Sequence, residues 1–488
     1  MLTWTFDFNF NSWFQWVIFI VDFIVRIWIC ARVIQRRLPA SVAWAWLGLM
    51  VSLPIFGTFL YWTFGEYRQG HRRMRRLRRV QETLNRIAAV QPTDSILNEH
   101  QQGDLHHAYQ ALFGFSPKTG NQIQLLKDSD ESFEQLSKDI ANAKHTLDFS
   151  FYIWSDGGRA DKIAQEIIAA AQRGVRCRVL VDAIGSSKFI KGKYYRAMKR
   201  GGVKMTVALP SGIFRSLIAR PDLRMHRKMV IIDDEIGYAG SMNLADPLFF
   251  NSTSPAAPWI DALARIQGPS IADLKTVFLS DWCVETGSDF AKELTKTKAP
   301  DDTHTKPAFV QCLPSGPAIK YSSIEQALLM AIASAQKEIV FTTPYFLPSE
   351  SMLYALLAAA RRGVSTILIV PAKIDSRIAH WASRSFFEDL LLAGVQVALY
   401  KPGLLHTKSI TIDDDVSLFG SVNLDPRSLR INFEITLAIY DKDFTQSLRD
   451  LQNEYLENSD MYTLEAHEGR HTAEVWAGDL SRLVGPLL

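Results

Sequence analysis

Cysteine is scarce: the 488-residue chain has four, Cys30, Cys177, Cys283 and Cys312, widely spaced and with no CxxC pair. That spacing excludes a disulfide framework and offers no zinc site, and a reducing compartment fits it. Net charge is also small, at +3, but it is unevenly spread. The first 80 residues hold eleven Lys/Arg against three Asp/Glu, leaving 43 against 48 in the remainder. Basicity is therefore local, and the bulk of the chain lacks the cationic surface that a nucleic-acid enzyme needs. No basic residue precedes the first apolar segment and no small-residue cleavage site follows it, which argues against a removable signal peptide. Apolar residues are abundant instead. At 47% hydrophobic and 11% aromatic, the chain has ample material for the cores of two ordinary domains.

Two long apolar runs open the chain, WFQWVIFIVDFIVRIWICARVI (13–34) and ASVAWAWLGLMVSLPIFGTFLYWTF (40–64), each long enough to cross a bilayer as a helix. They predict a transmembrane hairpin over residues 1–65, followed by a basic juxtamembrane linker over 66–105. Asp22 and Arg26 lie four apart, a spacing at which they neutralise each other, and carry no chemistry. Arg68, Arg72, Arg73, Arg75, Arg76, Arg78 and Arg79 follow the hairpin and no Lys or Arg precedes it, placing the larger part of the chain on the cytoplasmic side. The basic run is expected to meet anionic headgroups. Arg36 and Arg37 in the connection oppose this orientation; snorkelling, or a re-entrant hairpin that never crosses, would reconcile them.

Beyond residue 105 the pattern becomes α/β and repeats itself. AKHTLDFSFYI (143–153), a helix and AAQRGVRCRVLVD (170–182) are matched by QKEIVFTTPYF (336–346), a helix and AARRGVSTILIVP (359–371). Each is a strand, a crossover helix, an Arg-Gly-Val turn and a strand, the grammar of a sheet with parallel strands. Two homologous domains are predicted, 106–300 and 301–488, with a polar, proline-bearing seam near 297–310.

Inside the repeat lies the chemistry. MHRKMVIIDDEIGYAGSMN (225–243) and LHTKSITIDDDVSLFGSVN (405–423) share H-x-K-x4-D and, at identical distance, G-S-x-N. His226, Lys228, Asp233, Ser241 and Asn243 thus match His406, Lys408, Asp413, Ser421 and Asn423. One such spacing has a chance probability of roughly a few in a hundred and two of order a thousandth. On a strand, residues two apart share a face about 6.5 to 7 Å apart, so the His and Lys of each copy reach one bound group. Two half-sites facing each other would surround an anion with two imidazoles and two ammonium groups. At neutral pH one imidazole can act as nucleophile and the other as proton donor. The lysines, with hydroxyl and amide donors from Ser241, Asn243, Ser421 and Asn423, can stabilise phosphate oxygens. No acid cluster suited to Mg²⁺ accompanies the motifs, so no metal or other cofactor is expected.

The paired motifs resemble those of the phospholipase D superfamily. RLPASVAWAW, PIFGTFLYWTFGE, SGP (315–317), TTPYFLPS (342–349), WASRSFFEDLLLAGV (381–395) and LDPRSLRINFEITLAI (424–439) extend the resemblance to bacterial cardiolipin synthases of the two-helix membrane type over nearly the whole chain. The resemblance implies a fold of one membrane hairpin and two phospholipase D-like α/β domains related by a pseudo-twofold. It implies a multi-pass protein of the bacterial inner membrane that converts two phosphatidylglycerol molecules to cardiolipin and glycerol. By that analogy His226 attacks phosphorus and His406 is acid and base, although near-symmetric motifs permit the reverse. Partners implied are phosphatidylglycerol, cardiolipin and the bilayer, with homo-oligomerisation open and nucleic acid excluded. A phospholipase D hydrolase, or a transferase to another alcohol, would use the same residues.

Asp261 in PWIDALARI and Glu434 in NFEITLAI lie on apolar strands at comparable distances after the histidines of their own halves, where an unpaired charge is costly. The resemblance gives them the task of orienting an imidazole. Asp233 and Asp413, though counted in the motif, suit turn stabilisation equally well. GIFRSLIAR (212–220), apolar with Arg215 and Arg220, is expected either to dip into the membrane surface or to form an ordinary turn. His106, His107, His145 and His380 are expected to be structural or solvated.

Overall fold

The computed structural model describes residues 13–36, 40–66, 68–88, 103–210, 220–295, 308–317 and 323–484. The chain divides into two compact units: Met1–His71 with Ser211–Asp222, and Arg72–Pro210 with Leu223–Leu488.

In the first unit, α1 (Trp13–Gln35) precedes α2 (Ala40–Ser52), α3 (Pro54–Leu60) and a π-helical turn, Tyr61–Gly65. The expectation of two bilayer-spanning helices is corrected here. No helix among the described residues is both long enough and apolar enough to cross a membrane. α1 has the length but carries Asp22, Arg26 and Arg32, the first two as an ion pair of 2.7 Å. The second apolar run is cut in two because Pro54, at the first position of α3, can neither donate to nor pack within a continuing helix. Arg36 donates to the carbonyl of Gly65 at 2.6 Å, and Arg32 pairs with Glu66. Segment 211–219, most of GIFRSLIAR, lies outside the described residues.

The basic run within the expected juxtamembrane linker forms a helix, α4 (His71–Ala88), of which Arg72 onwards belongs to the second unit. Arg73 pairs with Glu285 at 2.9 Å, and Arg76 donates to the carbonyls of Val284 and Glu285. These arginines cap the C-terminal end of helix Ile271–Thr286, where carbonyls without helical partners favour cations.

The first half contributes β1 (Lys118–Leu126), β2 (Thr146–Phe151), β3 (Arg176–Asp182), β4 (Lys204–Ala208), β5 (Met229–Ile232), β6 (Ile236–Gly240), β7 (Trp259–Ile260) and β8 (Leu263–Gln267). The second contributes β9 (Ala308–Ser315), β10 (Glu338–Thr342), β11 (Ser365–Pro371), β12 (Gln396–Tyr400), β13 (Leu404–Leu405), β14 (Ser409–Ile412), β15 (Val416–Gly420), β16 (Glu434–Tyr440) and β17 (Ser459–Tyr462). The repeat is visible in their order. One sheet runs β17-β12-β11-β10-β14-β15-β16-β9-β1-β8-β6-β5-β2-β3-β4, so that, apart from β17, it reads alike from either end. β2 and β3 are parallel, as are β10 and β11, each pair joined by the crossover helix that the sequence predicts. The halves join where β1 and β9 run antiparallel. β2 and β10 are buried on both faces; β10 reads as an apolar run, whereas β2 alternates, with Asp148 and Ser150 buried on one of its faces.

One asymmetry lies under the first half. Asp148, Arg178, Lys275 and Asp234 form a buried ion network, with Arg178 bidentate on Asp148 at 2.6 and 2.7 Å. The second half fills the matching region with neutral partners: Gln452 donates to Ser409, and Thr411 donates to Gln452.

Candidate active site

The motif histidines sit just before β5 and β14, at the ends of strands whose opposite ends carry the motif aspartates. Six residues lie between the two positions, four of them a strand that spans about 13 Å. Asp233 accepts from the backbone N–H of Lys144, His145 and Thr146 at 2.7–2.8 Å. Asp413 accepts from Gln336, Lys337 and Glu338 at 2.7–3.1 Å. Each has positive φ, +55° and +49°, and clamps the hairpin turn to the start of the neighbouring strand. Their inclusion among catalytic residues is therefore corrected: their oxygens are spent on backbone amides remote from the imidazoles.

Around the histidines the halves exchange partners. His226 Nδ1 lies 2.7 Å from Glu434 Oε2, and His406 Nδ1 lies 2.7 Å from Asp261 Oδ1. Each carboxylate thus serves the histidine of the other half, not of its own as sequence distance suggests. Backbone register explains the exchange. β13, which leads into His406, pairs in parallel with β7, which leads into Asp261. Met225 likewise bridges to Phe433, so that the amide of His226 donates to Phe433 and that of His406 to Ile260, at 2.9 and 2.8 Å. Arg227 reinforces the join, donating to the carbonyls of Glu434 and Ser315 at 2.9 and 3.1 Å and pairing with Asp281.

The serines support the carboxylates rather than face the site as phosphate donors. Ser421 Oγ donates to Glu434 Oε2 at 2.6 Å and accepts from the amide of Ile435 at 3.0 Å. Ser241 hydrogen-bonds Asp261 and accepts from the amide of Ala262 at 3.1 Å. Asn243 accepts from the amide of Ile153 at 3.1 Å, and Asn423 hydrogen-bonds the buried Asp425. Glycine before each serine is required by close approach. A Cβ on Gly240 would stand 2.6 Å from the carbonyl of Ala262, and one on Gly420 would collide with that of Ile435.

A carboxylate can only accept, so Nδ1 of each imidazole carries the proton and Nε2 presents a lone pair. Burial lowers the His226 pKa to about 4 and that of His406 to about 3. The paired carboxylate opposes this shift, while Lys228 and Lys408 both add to it. Each imidazole thus senses the lysines of both halves, which makes the two motif copies one site. Lys228 is pushed down to about 8 by burial, and Lys408 well below its ordinary value. Burial pushes Asp261 and Glu434 upward, but the adjoining histidines and lysines outweigh it and hold both below the usual carboxylate range. The lysine ammonium groups each donate to the carbonyl of the histidine two residues earlier, at 2.7 Å for Lys228.

Several functional positions escape motif reading. The Tyr152 ring stands 4.8 Å from the His226 ring, and Trp259 4.3 Å from His406. The ammonium of Lys228 lies 5.6 Å from the centre of Tyr152. Trp259 had one signal, its place two residues before Asp261 and so on the same strand face. Asn432, two before Glu434, donates to that carboxylate at 3.2 Å. Such an arrangement is suited to attack on an anion held between the imidazoles, with a covalent stage on nitrogen.

Residues 136–254 and 328–455 match the family described as cardiolipin synthase, PLD-like domain, and residues 24–66 match the phospholipase D-nuclease N-terminal family. The chain is 38% identical over 449 residues to cardiolipin synthase A of Escherichia fergusonii, covering 91% of this chain and 92% of that one. It is 39% identical over 438 residues to cardiolipin synthase A of Yersinia pseudotuberculosis, covering 88% and 89%. Among solved structures, phosphatidylserine synthase of Haemophilus influenzae Rd KW20 superimposes with a TM-score of 0.57 over 79% of this chain and 100% of that one. At 17% identity it attests the fold alone.

Proposed function

We infer the reaction from one premise: this chain belongs to the cardiolipin synthase family of proteins with phospholipase D-like domains, and it is a phosphatidyltransferase. Two phosphatidylglycerol molecules become cardiolipin and free glycerol. The observation that carries the assignment of roles is the pair of buried imidazoles, each fixed at Nδ1 by the other half's carboxylate.

His226 attacks the phosphorus of the first lipid through Nε2, forming a P–N bond as the P–O bond to glycerol breaks. His406, protonated on Nε2 as the anionic lipid enters, gives that proton to the departing glycerol oxygen. It then takes a proton from a glycerol hydroxyl of the second phosphatidylglycerol, whose oxygen forms a P–O bond as the P–N bond breaks. Over the two steps one phosphodiester replaces another by way of the P–N intermediate, so no nucleotide-activated donor is needed. Lys228 and Lys408 balance the charge on the non-bridging oxygens, and their burial strengthens that effect. Asp261 and Glu434 hold the tautomers and balance the charge on each imidazole as it forms. The reverse assignment of the two histidines uses the same geometry.

The N-terminal unit holds the enzyme at the membrane. Trp44, Val51, Ile55 and Phe56 expose 72, 76, 68 and 56% of their surface, too much apolar area to leave in water. We place the hairpin in the cytoplasmic membrane of a bacterium, with the catalytic unit on the cytoplasmic side, on the strength of the arginine run at 68–79. Incubating detergent-purified protein with phosphatidylglycerol vesicles and resolving products by mass spectrometry tests the reading. Cardiolipin and glycerol in equal amounts are expected; phosphatidic acid without cardiolipin would make water the acceptor and overturn it.

A further inference from the structure

The two flanks of the active site differ although its centre is nearly symmetric. With the motifs superimposed, Arg224 occupies the position that Leu404 holds in the second half. Matching the Asp-Pro pairs at 246–247 and 425–426 likewise sets Arg427 where the first half has Leu248. Beside His406 the flank is apolar: Trp259 at 4.3 Å, Phe250 at 5.1 Å from Trp259, then Leu248 and Phe249 with 71 and 60% of their surface exposed.

Beside His226 it is cationic. Arg224 stands two residues before His226 on the extended segment that bridges to Phe433, and so on the face of that imidazole. Arg427 comes from the other half, and its carbonyl accepts the amides of Ile431 and Asn432, the turn that leads into Glu434. Arg224 hydrogen-bonds the hydroxyl of Tyr152, whose ring lies against His226, and Arg427 reaches that hydroxyl only through its charge. Both arginines are only partly buried. Asp182 accepts from the amides of Ile184, Gly185 and Met225, each at 2.9 Å, and lies in the field of Arg224; Asp425 accepts from Ser428 at 2.8 Å and from Asn423, and lies in the field of Arg427; Arg224 also donates to the carbonyl of Leu223 at 2.6 Å.

We propose that Arg224 and Arg427, with the hydroxyl of Tyr152, bind the phosphodiester of the second phospholipid while the His/Lys set holds the first. This inference rests on the phosphatidyl-transfer reading. Cardiolipin carries two phosphodiesters joined by one glycerol, so the enzyme must bring two anions within three carbons of each other. Lys228 and Lys408 serve the phosphate under attack, and a second anion needs its own cations. Guanidinium groups present paired donors to phosphate oxygens, which a lone ammonium does not. An acceptor that lacks a phosphate, such as water or glycerol, would gain nothing from them.

The test compares two acceptors against one donor in the full-length protein. Cardiolipin formation from phosphatidylglycerol is measured beside exchange of labelled glycerol into phosphatidylglycerol, which passes through the same P–N intermediate. In Arg224→Gln/Arg427→Gln, cardiolipin formation should fall at least tenfold further than glycerol exchange, and Arg224→Lys/Arg427→Lys should restore part of that selectivity. Equal loss of both activities in the double variant and in the gentler Arg427→Gln would overturn the proposal, as would loss of neither. Soluble glycerol phosphate offered as acceptor separates two sources of the anion. Arginine-dependent use of it means that the site reads phosphate alone; indifference to it means that the phosphate must arrive on a lipid. A wild-type protein that exchanges glycerol but makes no cardiolipin would instead sink the underlying reading.

Discussion

Glu434 and Asp261 show what a carboxylate does when it comes from across a repeat. Glu434 is the group that holds the His226 pKa up against burial, so Glu434→Gln should lower that pKa further and release the tautomer. Turnover is expected to fall on the order of 10²–10⁴-fold, with the acid limb of the pH–rate profile moved to lower pH. An unshifted limb would mean that the crossed pair does not govern His226. The same burial has a consequence for stability. His226 and His406 have pKa values of about 4 and about 3 in the fold, against 6.5 for an unperturbed imidazole. Between those values the unfolded chain binds more protons, so the contribution is present above pH 6.5 and is lost as pH falls towards 4. Melting temperatures of the wild type should drop across that interval, and the slope should flatten in His226→Gln/His406→Gln. Residue identities were legible here because two matched spacings are hard to produce by chance. The crossing was not, since distance along the chain assigns each acid to its own half. The aspartates of the motif looked catalytic for a similar reason: spacing records that a residue recurs, not which end of a strand it occupies.

Among elements, the two-stranded ladder of β7 and β13 does much with four residues, for it brings Asp261 beside His406. Gly403, just before it, lies so close to the carbonyl of Pro258 that a Cβ would collide with it. Gly403→Ala should therefore push the ladder apart and displace His406 without disturbing the large sheet. A shift of about 1 Å corresponds to roughly a 10²-fold loss of rate. Activity and thermal unfolding measured together would distinguish this from general destabilisation, which would lower both in step. The parallel pairs β2–β3 and β10–β11 were legible as βαβ units, because strand-like segments, helices and Arg-Gly-Val turns recur in the same order in both halves. A ladder only two residues long leaves no such periodicity. At the N-terminus, apolar length alone suggested two spanning helices; a proline and three charged side chains changed that outcome.

The whole molecule places both copies of the motif in one chain, on one sheet whose halves join through β1 and β9. Inactive His226→Ala and His406→Ala proteins, mixed in one micelle, should therefore fail to restore cardiolipin synthesis. Recovery of activity would require chains that exchange halves. The two homologous halves were legible from the repeat, and their fusion into one continuous sheet was not, because residues that pair β1 with β9 carry no motif. The crossed pairing also bears on how the protein is made. His226 emerges from the ribosome 208 residues before Glu434, the group that holds its Nδ1. A nascent or truncated chain that ends before Glu434 thus carries this imidazole without the carboxylate that fixes its tautomer. The two-histidine arrangement is therefore complete only when the second half has been synthesised and docked, so the order of translation sets when the site first exists as a whole.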